Sequence, residues 1–286
     1  MQFNLKEVNP PAFKQPIKLR MKQELKNRNH QKLIVVGSSG KGGTGKTTAA
    51  VNLALYYHES GYKTVLLDFD TPHGDVATML GINDDRCLTS WLDIQRPLSP
   101  DYANNMLMET KNGLKVLPSI RNAREDKLAD SSKLAQVILE SMKHFDIVIV
   151  DAAPHFSELT LEAYRQATKI LMVSDQSNVS LTNIYRGMKH LREQRIDTSN
   201  STLMVNRVMK KQKDINTKYT RTTTITDVIE VAFEPKMQEW AGQQIFPLVD
   251  KLNSKYARQL VEWADEIAPN LFEGVKKRKG FFRRKA

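Results

Sequence analysis

A glycine-rich segment with two lysines carries the clearest chemistry in the chain. Gly40–Thr48 reads Gly-Lys-Gly-Gly-Thr-Gly-Lys-Thr-Thr, which matches the spacing G-x-x-x-x-G-K-[ST] at Gly40, Gly45, Lys46 and Thr47. Backbone N–H groups of such a loop curl around phosphate oxygens, and the following helix N-terminus adds a positive dipole end. In this pattern Lys46 reaches the β- and γ-phosphates, and the Thr47 hydroxyl binds Mg²⁺. The residues predicted to contact a nucleotide are Gly40, Lys41, Gly42, Gly43, Thr44, Gly45, Lys46, Thr47 and Thr48.

Two aspartates are the next candidates for chemistry. Asp70 and Asp151 each close a short apolar run that is typical of a buried strand. Because ligands bind at the carboxyl ends of strands in an open α/β sheet, both carboxylates should flank the phosphate loop. Mg²⁺ uses one or two carboxylates and keeps several waters, so two carboxylates beside the Thr47 hydroxyl are an adequate number of ligands for it. Asp68 and Asp75 are weaker candidates, which fit a turn partner and a helix cap equally well.

The elements that must position these residues alternate along the chain. Short β-branched runs followed by helical stretches predict an α/β fold with a doubly wound, mostly parallel sheet of seven or eight strands and helices on both faces. The strand candidates are Leu33–Ser38, Thr64–Asp70, Leu114–Leu117, Asp146–Asp151, Lys169–Ser174, Thr202–Val208 and Val228–Phe233. The helix candidates are Lys46–Glu59, Gly74–Leu80, Ser132–Lys143, Leu159–Ala167, Leu181–Glu193, Lys236–Gly242 and Tyr256–Ile267.

Composition and charge divide the chain into three parts. Of 286 residues 40% are hydrophobic and 26% charged, which predicts one folded main domain, residues 33–275. The net charge of +11 resides at the ends: a basic, partly extended arm, residues 1–32, and a polybasic tail, residues 276–286. A nearly neutral body argues against a surface built wholly around nucleic acid. The exception inside the body is Arg207–Arg221, which holds six basic residues against Asp214.

Cysteine usage and hydropathy restrict the class further. Cys87 is the single cysteine, so an internal disulfide, a structural zinc and an iron–sulfur cluster held within one subunit are excluded. We find no run of 18 apolar residues and no charged-then-apolar leader, so we expect neither a membrane span nor a secretory signal. The expected setting is cytoplasmic, with any membrane contact peripheral, on the inner face of the cytoplasmic membrane.

The phosphate loop resembles that of the deviant Walker A ATPases, the ParA/MinD superfamily of the SIMIBI class, because Lys41 adds an early lysine to the motif. The resemblance implies binding of ATP and ADP with Mg²⁺, slow hydrolysis of ATP, and an ATP-dependent homodimer in which Lys41 crosses to the partner's nucleotide. It implies that Asp70 places the attacking water and helps to hold the Mg²⁺ shell, and that Asp151 acts on the metal through water. The implied metal site is therefore Thr47, Asp70 and Asp151. Catalysis would then rest on Lys41, Lys46, Asp70 and Asp151.

The same resemblance suggests where adenine binds. Asn206 and Arg207 close a strand candidate and resemble the family's adenine-contacting pair, and Pro235 resembles the residue that packs beside the base. An amide can both donate to and accept from adenine. The alternative for Asn206 is that its side chain only closes a turn.

Two further segments resemble the TadZ/CpaE branch, which helps to position Flp-type pilus and secretion machinery. They are Asp68–Leu80 and Asp151–Leu161, and the similarity extends over about residues 33 to 268. That branch usually carries a receiver-like domain before the ATPase, and 32 residues are too few for one. We therefore expect targeting through the arm, the tail or a partner. His73 and His155 follow the two aspartates and are expected at a dimer interface rather than on a metal.

The tail places Phe281 and Phe282 among seven cations of Lys276–Lys285 and resembles the membrane-targeting tail of MinD. An anionic membrane surface, nonspecific DNA and plain solvent are the three alternatives for it. The predicted function is an ATP-dependent dimerising switch that positions or regulates a membrane-associated complex of the Flp/Tad pilus or secretion type, with a protein partner in that complex. The alternatives are a ParA-type DNA partition ATPase and a nucleotide-binding scaffold without turnover, since the motifs indicate binding rather than a rate. A tyrosine autokinase would need a C-terminal tyrosine cluster, and a nitrogenase-like reductase would need two cluster cysteines; the sequence has neither.

Overall fold

The computed structural model describes residues 32–38, 40–71, 73–83, 87–88, 105–120, 131–209 and 215–271. The predicted arm, apart from Lys32, and the predicted tail lie outside these ranges. Much of the Arg207–Arg221 cluster does too, because residues 210–214 are not described. The division into arm, ATPase domain and tail therefore stays a prediction.

The described strands form one eight-stranded sheet in the order β3-β4-β2-β5-β1-β6-β7-β8, which confirms the predicted fold class. All neighbouring pairs are parallel except β3 and β4, which are antiparallel. The strands are β1 (Lys32–Gly37), β2 (Thr64–Phe69), β3 (Met108–Glu109), β4 (Lys115–Leu117), β5 (Ile147–Ala152), β6 (Lys169–Ser174), β7 (Ser201–Val208) and β8 (Asp227–Ala232). The central strands are buried on both faces, which is why their sequences read as continuous Val, Ile and Leu runs.

Helices cover the sheet between successive strands. They are α1 (Lys46–Glu59), α2 (Val76–Met79), α3 (Ser131–His144), α4 (Glu158–Gln166), α5 (Asn178–Glu193), α6 (Ile215–Thr223), α7 (Met237–Gly242), α8 (Pro247–Asp250) and α9 (Lys255–Leu271). None of the helices in the described ranges is long and apolar enough to cross a membrane.

Helix α1 is buried on nearly all sides and forms the centre of the core. Its residues from Ala49 to Tyr57 are all buried, against β-strand side chains on one side and α9 on another. Tyr56 Oη donates to Asp265 Oδ1 at 2.7 Å, and Tyr57 Oη donates to the Ala264 carbonyl at 3.0 Å. Helix α1 is therefore held between the sheet and α9.

The strand order reverses at β1, which pairs with β5 on one side and β6 on the other. Such a reversal opens a crevice at the carboxyl edge of an α/β sheet, where ligands bind. The segment Gly40–Thr48 follows β1 and therefore lies at this reversal.

Three described elements differ from the sequence-based predictions. Helix α6 was not predicted, because its sequence Ile-Asn-Thr-Lys-Tyr-Thr-Arg-Thr-Thr is polar and β-branched. It packs through Tyr219, whose side chain is buried, and the Thr223 hydroxyl donates to the Tyr219 carbonyl at 2.8 Å. Strand β3 has two residues and helix α8 has four, which is too short for any periodic signal.

Candidate nucleotide-binding site

The phosphate loop connects the carboxyl end of β1 to the first turn of α1. Gly40 N–H donates to the Pro154 carbonyl at 2.7 Å, which ties the loop to the segment after β5. Gly45 occupies the N-cap position of α1 with φ +98°, a left-handed backbone conformation that residues other than glycine rarely adopt. The loop therefore presents the N-terminus of a 14-residue helix, which suits an anion.

Lys46 joins the two carboxylates that the sequence predicted at strand ends. Its Nζ lies 2.7 Å from Asp151 Oδ1, 3.0 Å from Asp70 Oδ2 and 3.3 Å from Thr47 Oγ1. Burial lowers the pKa of Lys46, but the two carboxylates raise it more, so its pKa lies above the ordinary value. Lys46 is consequently a buried cation. The fold brings Lys46, Thr47, Asp70 and Asp151 into one cluster.

Asp151 is the most enclosed member of the cluster. The residue is fully buried at the end of β5, and its Oδ2 has no hydrogen-bond partner among the described residues. Burial raises the pKa of Asp151 above its usual range, and Lys46 offsets this only in part. A buried carboxylate oxygen without a partner is costly, which makes it a natural acceptor for a metal-bound water.

Asp68 is a turn partner, which settles the choice that the sequence left open. It faces Asp151 across the β2–β5 pair, and its carboxylate accepts from Asp70 N at 3.1 Å and Val76 N at 3.2 Å. Gly74 packs so closely on it that a Cβ would lie 2.2 Å from Asp68 Oδ2. Burial and the charge of Asp151 raise the pKa of Asp68 well above its usual range. Asp75 stands at the N-cap of α2, but its side chain makes no capping bond.

Lys41 is held by residues that sequence reasoning missed. Its Nζ lies 2.5 Å from Asp175 Oδ2 and 3.1 Å from Ser177 Oγ. Ser177 caps α5 and donates from its backbone N–H to Asp175 Oδ1 at 3.0 Å. Partial burial raises the pKa of Asp175, but hydrogen bonds from Lys41 and Ser177 outweigh it, so the pKa lies below the ordinary value. The signal for Asp175 was present, since it directly follows a buried strand as Asp70 does.

The predicted adenine contacts lie at the ends of β7 and β8. Asn206 is buried beside the phosphate loop, and its Nδ2 donates to the Thr44 carbonyl at 2.8 Å. Arg207 is exposed, and Pro235 lies exposed just beyond β8. His73 and His155 are exposed as well. Within the described ranges, no group of three or more His, Cys, Asp or Glu side chains is arranged to hold a metal ion.

The site fits a nucleotide and Mg²⁺ in its charges and its donors. Lys46 and the α1 N-terminus supply positive charge at the loop, while Thr47, Asp70 and Asp151 supply hard oxygen ligands beside it. Two carboxylates and a hydroxyl are too few for a closed cage but match the way proteins hold Mg²⁺ together with substrate phosphates. Asp151 Oδ2, which has no partner among the described residues, would accept a hydrogen bond from a water held by such an ion.

Comparison with known proteins agrees with this fit. The profile of the AAA domain family AAA_31 matches residues 31–205. The antiactivator FleN of Pseudomonas aeruginosa is 26% identical over 165 residues, covering 57% of this chain and 57% of FleN. Matches to several other curated relatives span about half of their lengths.

Many solved structures share the fold. The ParA family ATPase from Chlorobium tepidum TLS has a TM-score of 0.74 at 18% identity, covering 82% of this chain and 98% of that one. MinD from Pyrococcus horikoshii OT3, solved as a complex with Mg-ADP, has a TM-score of 0.69 at 21% identity, covering 83% and 96%. The chain belongs to the AAA_31 family of AAA domains. Its fold is that of the ParA and MinD structures, and its relatives include MinD of Thermotoga maritima and the chromosome-partitioning ATPase Soj of Thermus thermophilus.

Replacement of Lys46 by methionine should destabilise the fold. The change leaves the buried Asp151 without its cation, and we expect the free energy of unfolding to fall by about 3 kcal/mol. Urea denaturation followed by circular dichroism measures this. Because a protonated Asp151 needs no cation, the loss should be smaller at pH 5 than at pH 8.

The matched control is Lys115→Met, which breaks a more exposed ion pair with Glu109 at 2.6 Å. Such a pair contributes at most about 1 kcal/mol. The double variant Lys46→Met/Asp151→Asn should recover part of the loss. Equal losses for Lys46→Met and Lys115→Met would contradict the assignment of Lys46 to a buried ion pair.

Proposed function

We propose that the protein is an ATP-dependent dimerising switch that binds and slowly hydrolyses ATP. The main observation in support of this proposal is the position of Lys41. Its side chain is 36% exposed at the rim of the site, and it forms an ion pair with Asp175 rather than with a carboxylate of the Lys46 cluster. One lysine thus lies inside the site and a second lies at its edge. A lysine at the edge can be delivered to a triphosphate bound in another copy of the chain, as a cation supplied in trans stabilises phosphoryl transfer.

The roles of the individual side chains follow from the cluster. Lys46 would exchange its carboxylate partners for phosphate oxygens of ATP, since both are anionic and the lysine remains charged. Thr47, Asp70 and Asp151 would hold Mg²⁺, which neutralises charge on the phosphates. Asp70, 20% exposed, can also accept a hydrogen bond from water and so orient a nucleophile. Asp68 fixes the backbone of Asp70.

Assembly in solution tests the switch directly. The purified full chain should be monomeric with ADP and Mg²⁺ and dimeric with ATP and Mg²⁺, as measured by multi-angle light scattering. An oligomeric state that does not respond to the nucleotide would contradict the proposal, and so would a folded chain that binds neither nucleotide.

The proposed task is to position or regulate a membrane-associated complex of the Flp/Tad pilus or secretion type, through a protein partner in that complex. The support is the resemblance of Asp68–Leu80 and Asp151–Leu161 to the TadZ/CpaE branch, together with the deviant Walker A lysine, Lys41. The cation-rich tail would bring the ATP-bound dimer to the inner face of the cytoplasmic membrane. Each tail cation contributes about 1 kcal/mol at an anionic leaflet, and each buried phenylalanine about 1.5–3 kcal/mol.

Removing the tail tests this membrane role. We expect a chain ending at residue 275 to lose at least tenfold in affinity for vesicles of phosphatidylserine and phosphatidylcholine, since seven cations and two phenylalanines are removed. Vesicle pelleting with ATP and Mg²⁺ measures the affinity, and vesicles of phosphatidylcholine alone are the control. Equal binding of the full chain and the shortened chain to the anionic vesicles would overturn the membrane role.

A second candidate function, nonspecific DNA binding of the ParA partition type, is favoured by the surface of α5 and α6. Exposed basic side chains on these helices are Arg186, Lys189, Arg192, Lys218 and Arg221. In the same pelleting assay with duplex DNA, this function predicts that the shortened chain still binds and that Lys218→Gln/Arg221→Gln weakens binding and reduces its salt dependence. Unchanged DNA binding in that double variant would remove the candidate.

A further inference from the structure

The side-chain amide of Asn206 is enclosed between its own strand and the phosphate loop. The residue is 5% exposed. Its Nδ2 donates to the Thr44 carbonyl at 2.8 Å, and its Oδ1 accepts from Arg207 N at 2.9 Å. If the amide were rotated by 180°, its oxygen would face the Thr44 carbonyl oxygen and its NH₂ group would face the Arg207 N–H. The two partners therefore fix its orientation.

The backbone of β7 is distorted at the residue that follows. The pairing of β7 with β8 shifts register between Val205 and Val208, and Arg207 adopts φ +59°. A left-handed backbone at a residue other than glycine is unfavourable and persists only where its surroundings impose it. The distortion directs the Arg207 N–H to the Asn206 Oδ1 and so holds the amide toward the loop.

The loop leaves no space for anything larger than glycine at this contact. A Cβ on Gly45 would lie 2.3 Å from Asn206 Nδ2, and Thr44 is 2% exposed. The next residue along the chain is Lys46, and the Gly45 carbonyl accepts the first hydrogen bond of α1 from Ala49 N at 2.9 Å. The amide therefore packs under the turn from which both the phosphate-binding lysine and the helix N-terminus project.

We propose that Asn206 is a positioning residue for the phosphate loop, fixing the Thr44–Gly45 backbone in the conformation that accepts a triphosphate. This role differs from the adenine contact implied by the family resemblance, because it acts on the phosphate end of the nucleotide. This inference rests on the proposed function in one respect, namely that the loop is the site at which the triphosphate binds. Removing the amide leaves the buried Thr44 carbonyl without its donor, so the loop loses a restraint whatever base the ligand carries.

The experiment compares ATP with inorganic tripolyphosphate, which has no base, by isothermal titration calorimetry in the presence of Mg²⁺. Asn206→Ala should weaken the binding of both ligands by the same factor, about tenfold. This size is set by the loss of one buried hydrogen bond. Asn206→Asp is nearly isosteric and keeps the acceptor for Arg207 N, but it opposes a carboxylate oxygen to the Thr44 carbonyl. Asn206→Asp should therefore weaken the binding of both ligands at least as much as Asn206→Ala does. Weaker ATP binding with unchanged tripolyphosphate binding would overturn the positioning role in favour of a base contact.

Asn200→Ala is the matched control. Asn200 Nδ2 also donates to a backbone carbonyl, that of Ala167 at 3.1 Å, but at the far end of β7. This variant should lower thermal stability without changing either affinity, and an equal loss of affinity in it would assign the Asn206 effect to general destabilisation.

Hydrogen exchange separates this inference from the proposed function. In the ligand-free proteins, Asn206→Asp should accelerate exchange at the amides of Thr44 to Thr47 by at least tenfold, while Asn200→Ala should leave it unchanged. Unaltered exchange there would overturn the inference even if the parent chain binds ATP. If the parent chain bound neither ligand, accelerated exchange would still show that Asn206 restrains the Thr44–Gly45 backbone, while the proposed function would fail.

Discussion

Replacing Asp70 by alanine is expected to lower ATP turnover by at least about 100-fold while leaving a dimer that ATP assembles and that no longer dissociates. Asp70 is the carboxylate of the cluster that water can reach, whereas Asp151 is fully buried. If Asp70 orients the nucleophile as proposed, its loss removes hydrolysis, and without hydrolysis the ATP-bound state persists. Phosphate release measures the turnover, and light scattering after dilution measures how long the dimer lasts.

Asp75→Ala is the matched control for this result. Asp75 is exposed at the start of α2, and its side chain makes no capping bond, so its loss should leave turnover at the parent rate. If Asp70→Ala also hydrolysed ATP at the parent rate, the nucleophile would have to be oriented by another residue, and the assignment of Asp70 would be wrong.

Replacing Lys41 by alanine is expected to preserve ATP binding and to abolish dimerisation by ATP. Lys41 lies outside the cluster of Lys46 and its carboxylates, so the site within one chain loses no member. In the proposed dimer, the partner's triphosphate would lose the cation that neutralises it across the interface. Calorimetry measures the binding of ATP, and light scattering measures the assembly. An exposed loop lysine, Lys111, provides the control substitution Lys111→Ala.

The contact between Lys41 and Asp175 makes the reciprocal change informative. In the proposed dimer each chain must release Lys41 from Asp175, so two ion pairs are broken per dimer. A partly exposed pair contributes about 0.5–1 kcal/mol, so Asp175→Asn should shift the dimerisation midpoint to a protein concentration about five- to thirtyfold lower. Normal ATP-dependent dimerisation of Lys41→Ala would remove the trans role, and an unchanged midpoint in Asp175→Asn would show that the ion pair does not restrain Lys41.

Much of this site is readable from the sequence because its signals are local. The loop and the bounds of α1, Lys46–Glu59, follow from residue types at fixed spacing, and they agree with the structure. The sequence predicts Asp70 and Asp151 at one edge of the sheet because the carboxyl ends of parallel strands lie at the same edge. Strand bounds differ by about a residue, since pairing with neighbours rather than composition decides where a strand stops.

The remaining features depend on distant partners. The Asn206 amide meets Thr44, which lies 162 residues away, and no local pattern encodes that contact. Asp68 was the weaker candidate beside Asp70, and the sequence left open whether it belongs to the site or to a turn. Its environment depends on packing: Asp68 is buried against Gly74, while Asp70 reaches Lys46. Helix α6 is stabilised by burial of Tyr219, and the polar sequence of the helix does not predict this packing.

The attachment of α1 at both ends has a mechanical consequence. Its first turn carries the phosphate loop, and about 15 Å further along the helix Tyr56 and Tyr57 bind Asp265 and the Ala264 carbonyl of α9. A displacement of α1 along its axis would therefore strain both tyrosine hydrogen bonds unless α9 moved with it. The two tyrosines thus link the helix that carries the phosphate loop to α9.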